Sequence, residues 1–250
     1  METTSRSIEA LRADREVVLD VCRDLGEDWK AASGCPGWSV QDLVAHLGAL
    51  FWAVVDPSTL PETDGLPTER AQQLCVEARR PLGPAEVLAG YQAVSAEALA
   101  RLAGLTELDF EVPLGDVGTY PAAVLPTAFC FDHYTHIRAD LFGPRGPLPG
   151  PPPPSDELRL GVALDWIEVA LPQQDAAILG ALDRPVEILV RGTAARTIRI
   201  GPDAPAAAWV ESDGDSFVRW VTQRATWGQL GVHASGDEGT LKRIRDLHVF

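Results

Sequence analysis

Between Gly143 and Pro154 the chain reads Gly-Pro-Arg-Gly-Pro-Leu-Pro-Gly-Pro-Pro-Pro-Pro, and no other segment limits the available folds so strongly. Proline lacks a backbone N–H and its ring clashes with the preceding helical turn, so neither a helix nor an interior strand passes through such a stretch. The run favours extended polyproline geometry and reads as a stiff linker. Taken as residues 144–155, it separates an N-terminal domain, 1–143, from a C-terminal domain, 156–250. A chain of 250 residues, 46% of them hydrophobic, has enough material for both cores.

The N-terminal part has helical periodicity. Ile8, Leu11, Val18, Cys22 and Leu25 recur at helical spacing. Ser39, followed by Asp42, has the pattern of a capping box and predicts a helix running to about Val55. Pro57, Pro61, Gly65 and Pro67 then mark a long irregular loop. Pro84 suits the first turn of a third helix reaching about Ala103. A fourth spans about Ala122 to Phe142 and stops at Gly143-Pro144. Four helices joined by turn-rich segments are most simply packed as a four-helix bundle. Beyond the linker the periods mix. Leu158–Leu171, Phe217–Arg224 and Thr240–Leu247 read as helices; Val186–Val190, Thr197–Ile200 and Ala207–Val210 read as strands, with Leu230–His233 as a further candidate. The second domain is therefore expected to be α+β, a small α/β sandwich.

Polar residues interrupt the apolar faces of two helices. With Asp132 set at about 0°, an advance of about 100° per residue puts Leu125 near 20°, His136 near 40° and Phe129 near 60°. Asp132 and His136 thus share the stripe that should face the core. His46 falls on the face of Leu43, Leu50 and Ala53 in the earlier helix. A buried carboxylate with two buried imidazoles is costly unless the groups are paired or bind a metal. Three such ligands leave one coordination position open for chemistry. The same residues also fit a plainer arrangement, a core histidine with one hydrogen bond and a surface ion pair at i,i+4 spacing. His133 lies about 60° from His136 and reads as a boundary residue.

Several classes of function are excluded. No glycine-rich phosphate loop, Gly-x-Ser-x-Gly elbow or His-Glu-x-x-His motif is present. A net charge of −15 argues against nucleic acid and against anionic membrane surfaces as partners. The longest apolar run, Leu47 to Val55, is too short to span a bilayer. Cys22, Cys35, Cys75 and Cys130 are scattered without a Cys-x-x-Cys pair, as in a reduced, cytoplasmic protein, and Met-Glu-Thr-Thr-Ser-Arg lacks the pattern of a signal peptide. Cys35, before Pro36-Gly37, is expected in a turn; Cys22 and Cys130 are expected to be packed.

The segment Cys35-Pro-Gly-Trp-Ser-Val-Gln-Asp-Leu-Val-Ala-His46-Leu resembles the signature of the mycothiol-dependent maleylpyruvate isomerase family, within the wider DinB-like metal-binding four-helix bundles. Val186-Glu-Ile-Leu-Val-Arg-Gly192 and Phe217-Val-Arg-Trp-Val-Thr-Gln-Arg224 resemble that family's smaller, sterol-carrier-protein-like domain. The resemblance implies that His46 is the first metal ligand and His136 the last. It puts Asp132 where the isomerases usually carry glutamate, one methylene longer. Arg224 matches an arginine that helps hold or polarise substrate.

On that resemblance the expected cofactors are a divalent metal, zinc for mixed nitrogen and oxygen ligands, and mycothiol as a thiol cosubstrate. The expected activity is thiol-dependent isomerisation or S-transfer on a small acidic or unsaturated molecule, with Arg224 supplying a guanidinium clamp. Two other readings remain: a non-catalytic metal- or ligand-binding module, and a hydrolase in which the open position activates water. An apolar bundle centre would favour the module. The oligomeric state is left open.

Overall fold

The computed structural model describes residues 2–105 and 108–250, the side chains of residues 2–4 excepted. The chain forms two compact units, Met1–Pro154 and Ser155–Phe250. In the first, α1 (Glu2–Cys22), α2 (Val40–Val55), α3 (Thr68–Glu77), α4 (Pro84–Leu105) and α5 (Leu125–Thr135) are joined by turns and by a hairpin of β1 (Glu111–Pro113) and β2 (Thr119–Pro121). Helix α2 packs on α4, and α1 packs on α5 and α4, which makes the bundle. Its seams follow the sequence pattern. Ile8, Leu11, Val18 and Cys22 are buried on α1, and Val87, Tyr91, Val94, Ala98 and Leu102 on α4.

The expected start of α2 is present in both directions: Asp42 N–H donates to Ser39 Oγ (3.1 Å) and Ser39 N–H donates to Asp42 Oδ2 (3.0 Å). Such reciprocal caps satisfy two of the N–H groups that a helix start leaves without partners. Helix α3 falls inside the stretch expected to be an irregular loop. Its sequence, Thr-Glu-Arg-Ala-Gln-Gln-Leu-Cys-Val-Glu, is mostly polar and buries only Cys75 and Val76, so it offers few apolar residues to mark a core-facing helix. It packs on α2 and is capped from outside, since Thr68 N–H and Oγ1–H both donate to Asp116 Oδ1 (2.7 and 2.6 Å).

Helix α5 does not end at Thr135 but widens into a π-helical turn over His136–Leu141, where Phe142 N–H reaches back to Ile137 O (3.3 Å). The proline-rich run then begins as a packed turn. Gly146 N–H donates to Phe142 O (2.8 Å), Leu148 N–H donates to Leu141 O (3.0 Å), and Leu148 is buried. Leu148 gives the turn an apolar anchor. At its far end Pro154 O accepts from Arg138, whose guanidinium pairs with buried Asp14 on α1 (3.2 Å) and lies over the Tyr134 ring.

The second unit contains α6 (Glu157–Gln174), α7 (Ala176–Gly180), β3 (Val186–Arg191), β4 (Arg196–Ile200), β5 (Ala208–Asp213), α8 (Gly214–Val221), α9 (Trp227–Leu230), β6 (His233–Gly236) and α10 (Glu238–Ile244). Its sheet has the order β4-β3-β5-β6, with β3 and β5 parallel and the other pairs antiparallel. Val186, Ile188 and Val190 are buried while Glu187, Leu189 and Arg191 alternate outward, the period-two pattern of a sheet covered on one face. The helix expected to reach Arg224 stops at Val221, because Gln223 adopts φ +57° and turns the chain. The candidate strand at Leu230–His233 shifts to His233–Gly236, since Gly231 closes α9 at φ +65°. Among the described residues no helix is long and apolar enough to cross a membrane.

Candidate metal centre

His46 on α2 and Asp132 and His136 on α5 converge. One donor atom from each lies within 4.8 Å of the other two. His46 Nε2 is 3.2 Å from Asp132 Oδ2, and His136 Nε2 is 3.4 Å from Asp132 Oδ1. Ligands held at zinc–nitrogen distances of about 2.0–2.1 Å in a tetrahedron stand about 3.3 Å apart; the two short contacts match that spacing but run to different oxygens of Asp132, which faces both imidazoles at once. The side chains of His46 and His136 are 5% and 10% exposed while that of Asp132 is 26% exposed. The cluster is therefore open to solvent on the carboxylate side.

The outward nitrogens of both imidazoles are already engaged. His46 donates its Nδ1–H to Gln72 Oε1 on α3 (3.1 Å), and His136 donates its Nδ1–H to Asp140 Oδ2 (2.9 Å). Acceptors on Nδ1 fix the tautomer and leave both Nε2 lone pairs aimed at the centre. Each Nε2 then faces a carboxylate oxygen, an arrangement that requires a cation between them, either a proton on the imidazole or a metal ion. The electrostatics agree. Burial alone would raise the Asp132 carboxyl, but the facing His136 and His46 imidazoles hold it well below the usual carboxylate range. Burial would likewise lower His136, and Asp132 raises it well above the ordinary histidine value.

Trp38 walls one side, its ring centroid 5.1 Å from that of His46 and its Nε1–H donated to Gln73 Oε1 (2.7 Å). Cys35 does sit in a turn, closed by Trp38 N–H to Cys35 O (3.1 Å), and its Sγ lies 3.5 Å from His136 Nδ1. Sulfur and Asp140 thus share one nitrogen of the ring, so Cys35, His136 and Asp140 cannot work as a nucleophile–base–carboxylate relay, which needs the two partners on opposite nitrogens. Cys22, Cys75 and Cys130 are buried and in no disulfide, Cys22 pushed by burial up to about 12.

His133 corrects the sequence reading. It is fully buried, not a boundary residue, because the aromatic cluster of Phe51, Tyr91 and Phe129 encloses it. It donates Nδ1–H to Phe129 O (2.8 Å) and accepts the Tyr91 hydroxyl at Nε2 (3.1 Å). Burial pushes its pKa down to about 4, so the ring stays neutral and structural. Arg224 belongs to the second unit. It lies in the turn after α8, with its N–H on Arg219 O (2.8 Å) and Nη1 3.5 Å from Thr222 O.

Gln72, Asp140 and the turn residues Gly34 and Arg145 are absent from the sequence reading. Asp140 was within reach of it, since Asp132, His136 and Asp140 form a ladder at i, i+4 and i+8 along one face. Gln72 was not, because it depends on α3.

The mycothiol maleylpyruvate isomerase N-terminal domain matches residues 11–141, just over half of the 250-residue chain. The chain belongs to this family. The matched span includes His46, Asp132 and His136 and ends before Arg224. Two solved structures, of the mycothiol-dependent maleylpyruvate isomerase and of a histidine-to-alanine mutant of it, superpose with a TM-score of 0.60 each. Each is 16% identical to this chain, with 94% of either chain covered, a likeness of fold that extends over both units. No curated protein matches the chain. The four-helix bundle and the small α/β domain of the family are both present.

Proposed function

We propose that this protein is a mycothiol-dependent isomerase or S-transferase that holds a divalent metal, zinc, through His46, Asp132 and His136. Its substrate is a small acidic or unsaturated molecule. The observation that carries this reading is the convergence of the three donor atoms within 4.8 Å while both histidine Nδ1 atoms are engaged elsewhere. Family membership and the fold of the isomerase structures support it. The polar, hydrogen-bonded cluster of His46, Asp132 and His136 does not suit a module with an apolar centre. Four cysteines, none in a disulfide, and a net charge of −15 agree with a cytoplasmic location and with partners other than nucleic acid or membrane.

A bound zinc ion supplies positive charge that stabilises a thiolate far below the usual thiol pKa of about 8.5. The protein's own groups do the rest. Gln72 and Asp140 keep both imidazoles in the Nε2-accepting tautomer, and Asp132 adds the negative charge that retains a cation. Trp38 shields the His46 side from water, while the exposed edge at Asp132 admits a thiol and a small acid. In the isomerisation the thiol sulfur bonds to one alkene carbon and the π electrons move onto the conjugated carbonyl. Rotation about the resulting single bond follows, and the C–S bond then breaks to restore the alkene. Arg224 is assigned to the substrate carboxylate, which its planar guanidinium can grip with two donors.

The test is direct. Purified protein should contain one equivalent of zinc and isomerise a cis-unsaturated dicarboxylic acid only when mycothiol is present, and His46→Ala should lose both. Turnover that is independent of thiol, or a wild type that takes up no metal, would sink the proposal.

A further inference from the structure

We propose that Arg145, in the turn that opens the proline-rich run, is a positioning residue of the metal centre. It acts on His136 through Asp140 and on the Cys35 turn through the Gly34 carbonyl. This rests on the metal-binding reading above. Asp140 has no solvent exposure, and a carboxylate in that setting needs both hydrogen bonds and a compensating charge. One oxygen accepts His136 Nδ1–H at 2.9 Å, and Arg145 Nη1 lies 3.6 Å from the other. The second arm of the same guanidinium donates to Gly34 O. Gly34 N–H in turn donates to Asp140 O at 2.8 Å. Arg145, Asp140 and Gly34 therefore close a ring behind His136, with Cys35 as the next residue along.

The turn itself is built to deliver that arginine. A Cβ on Gly146 would lie 2.1 Å from the carbonyl carbon of Leu141, so only glycine lets the chain pass this close to the end of the π-helical turn. The two histidine supports are also unequal. A neutral glutamine accepts from His46, whereas a buried carboxylate accepts from His136. A carboxylate acceptor raises the basicity of the metal-facing nitrogen more than an amide does. His136 is thus the stronger donor only while Asp140 stays charged and fixed, which is the task assigned to Arg145. A plain surface ion pair at this position would contribute little and would not reach the metal at all.

Zinc affinity, measured by competition with a chromophoric chelator, and the visible spectrum of the cobalt(II)-substituted protein separate these roles. Arg145→Ala should lose about 10–100-fold in zinc affinity and shift the cobalt bands, and its melting transition should fall because buried Asp140 loses its compensating charge; the band shift is the readout that a merely structural role would not move. Arg145→Lys should recover part of the affinity, because an ammonium offsets Asp140 but cannot span both Asp140 and the Gly34 carbonyl. His46→Ala serves as the reference. If it still binds zinc, the metal centre is misassigned and this inference falls with it. If His46→Ala loses zinc while Arg145→Ala keeps wild-type affinity and spectrum, the inference about Arg145 alone is overturned.

Discussion

Gly34→Ala probes the metal centre from the side where no ligand is touched. An added Cβ would lie 2.6 Å from Asp140 Oδ1, 2.7 Å from Asp140 Cα and 3.1 Å from Ala139 O. Two of these neighbours belong to the main chain, so a side-chain rotation cannot relieve the overlap, and the turn must move away from the helix by several tenths of an ångström. That movement opens the Gly34 N–H to Asp140 O bond, now 2.8 Å. A lost hydrogen bond costs about 0.5–1.5 kcal/mol and overpacking about 1–3 kcal/mol, which gives a destabilisation of roughly 2–4 kcal/mol. Asp140 carries His136, so displacing it should also weaken zinc binding, by about 10–100-fold if the His136 support is lost. Denaturant midpoints measure the first effect and chelator competition the second. Gly90→Ala in α4 is the control: its Cβ meets no atom within 4 Å, and alanine there should be neutral or stabilising. A Gly34→Ala protein with the wild-type midpoint and zinc affinity would refute the claim that the turn and the π-helical segment are locked together.

Three further outcomes are expected. Asp132→Ala should purify with little zinc and Asp132→Glu with an intermediate amount, whereas full metal content in the alanine variant would remove the carboxylate from the ligand set. Arg224→Lys should keep metal content and stability but lose most turnover of acidic substrates, and equal turnover would reduce Arg224 to a turn residue. Asp175 is pushed by burial up to about 6, only partly offset by the His248 N–H that it accepts. A raised folded pKa means that its contribution is fully present below the unfolded value of 3.8 and is lost as pH rises through about 6. Asp175→Asn should therefore match wild type near pH 3.5 and exceed it by about 2–3 kcal/mol above pH 6.5; urea titrations at both pH values decide it.

What the sequence made legible was whatever is set within a single helix or strand. The phase of Asp132 and His136, the cap at Ser39 and the alternation of Val186, Ile188 and Val190 are all local periods, and all three are present in the fold. What stayed hidden was set by contacts between distant segments. Helix α3 has too few apolar residues to announce itself and is held by Asp116, about fifty positions on, so Gln72 and its bond to His46 went unread. His133 looked peripheral by angle, yet the ring of aromatic side chains from α2, α4 and α5 buries it. The packing of the proline-rich run could not be read from its composition, because buried Leu148 pairs with Phe142 beyond the end of α5. Arg224 left the helix through a positive φ at glutamine, which composition does not foretell.

The borrowed cap on α3 has a consequence for how the molecule breathes. A segment that buries only Cys75 and Val76, and takes its first hydrogen bonds from a hairpin far along the chain, belongs with the elements of least local stability. Its amides should exchange with solvent deuterium well before those of α2 and α4, and together with those around Asp116. Each such opening carries away the glutamine that accepts from His46 and the one that accepts from Trp38. His46 then loses its acceptor on the timescale of local unfolding while His136 keeps Asp140, so the two supports of the site should differ in lifetime although they look alike in a static view.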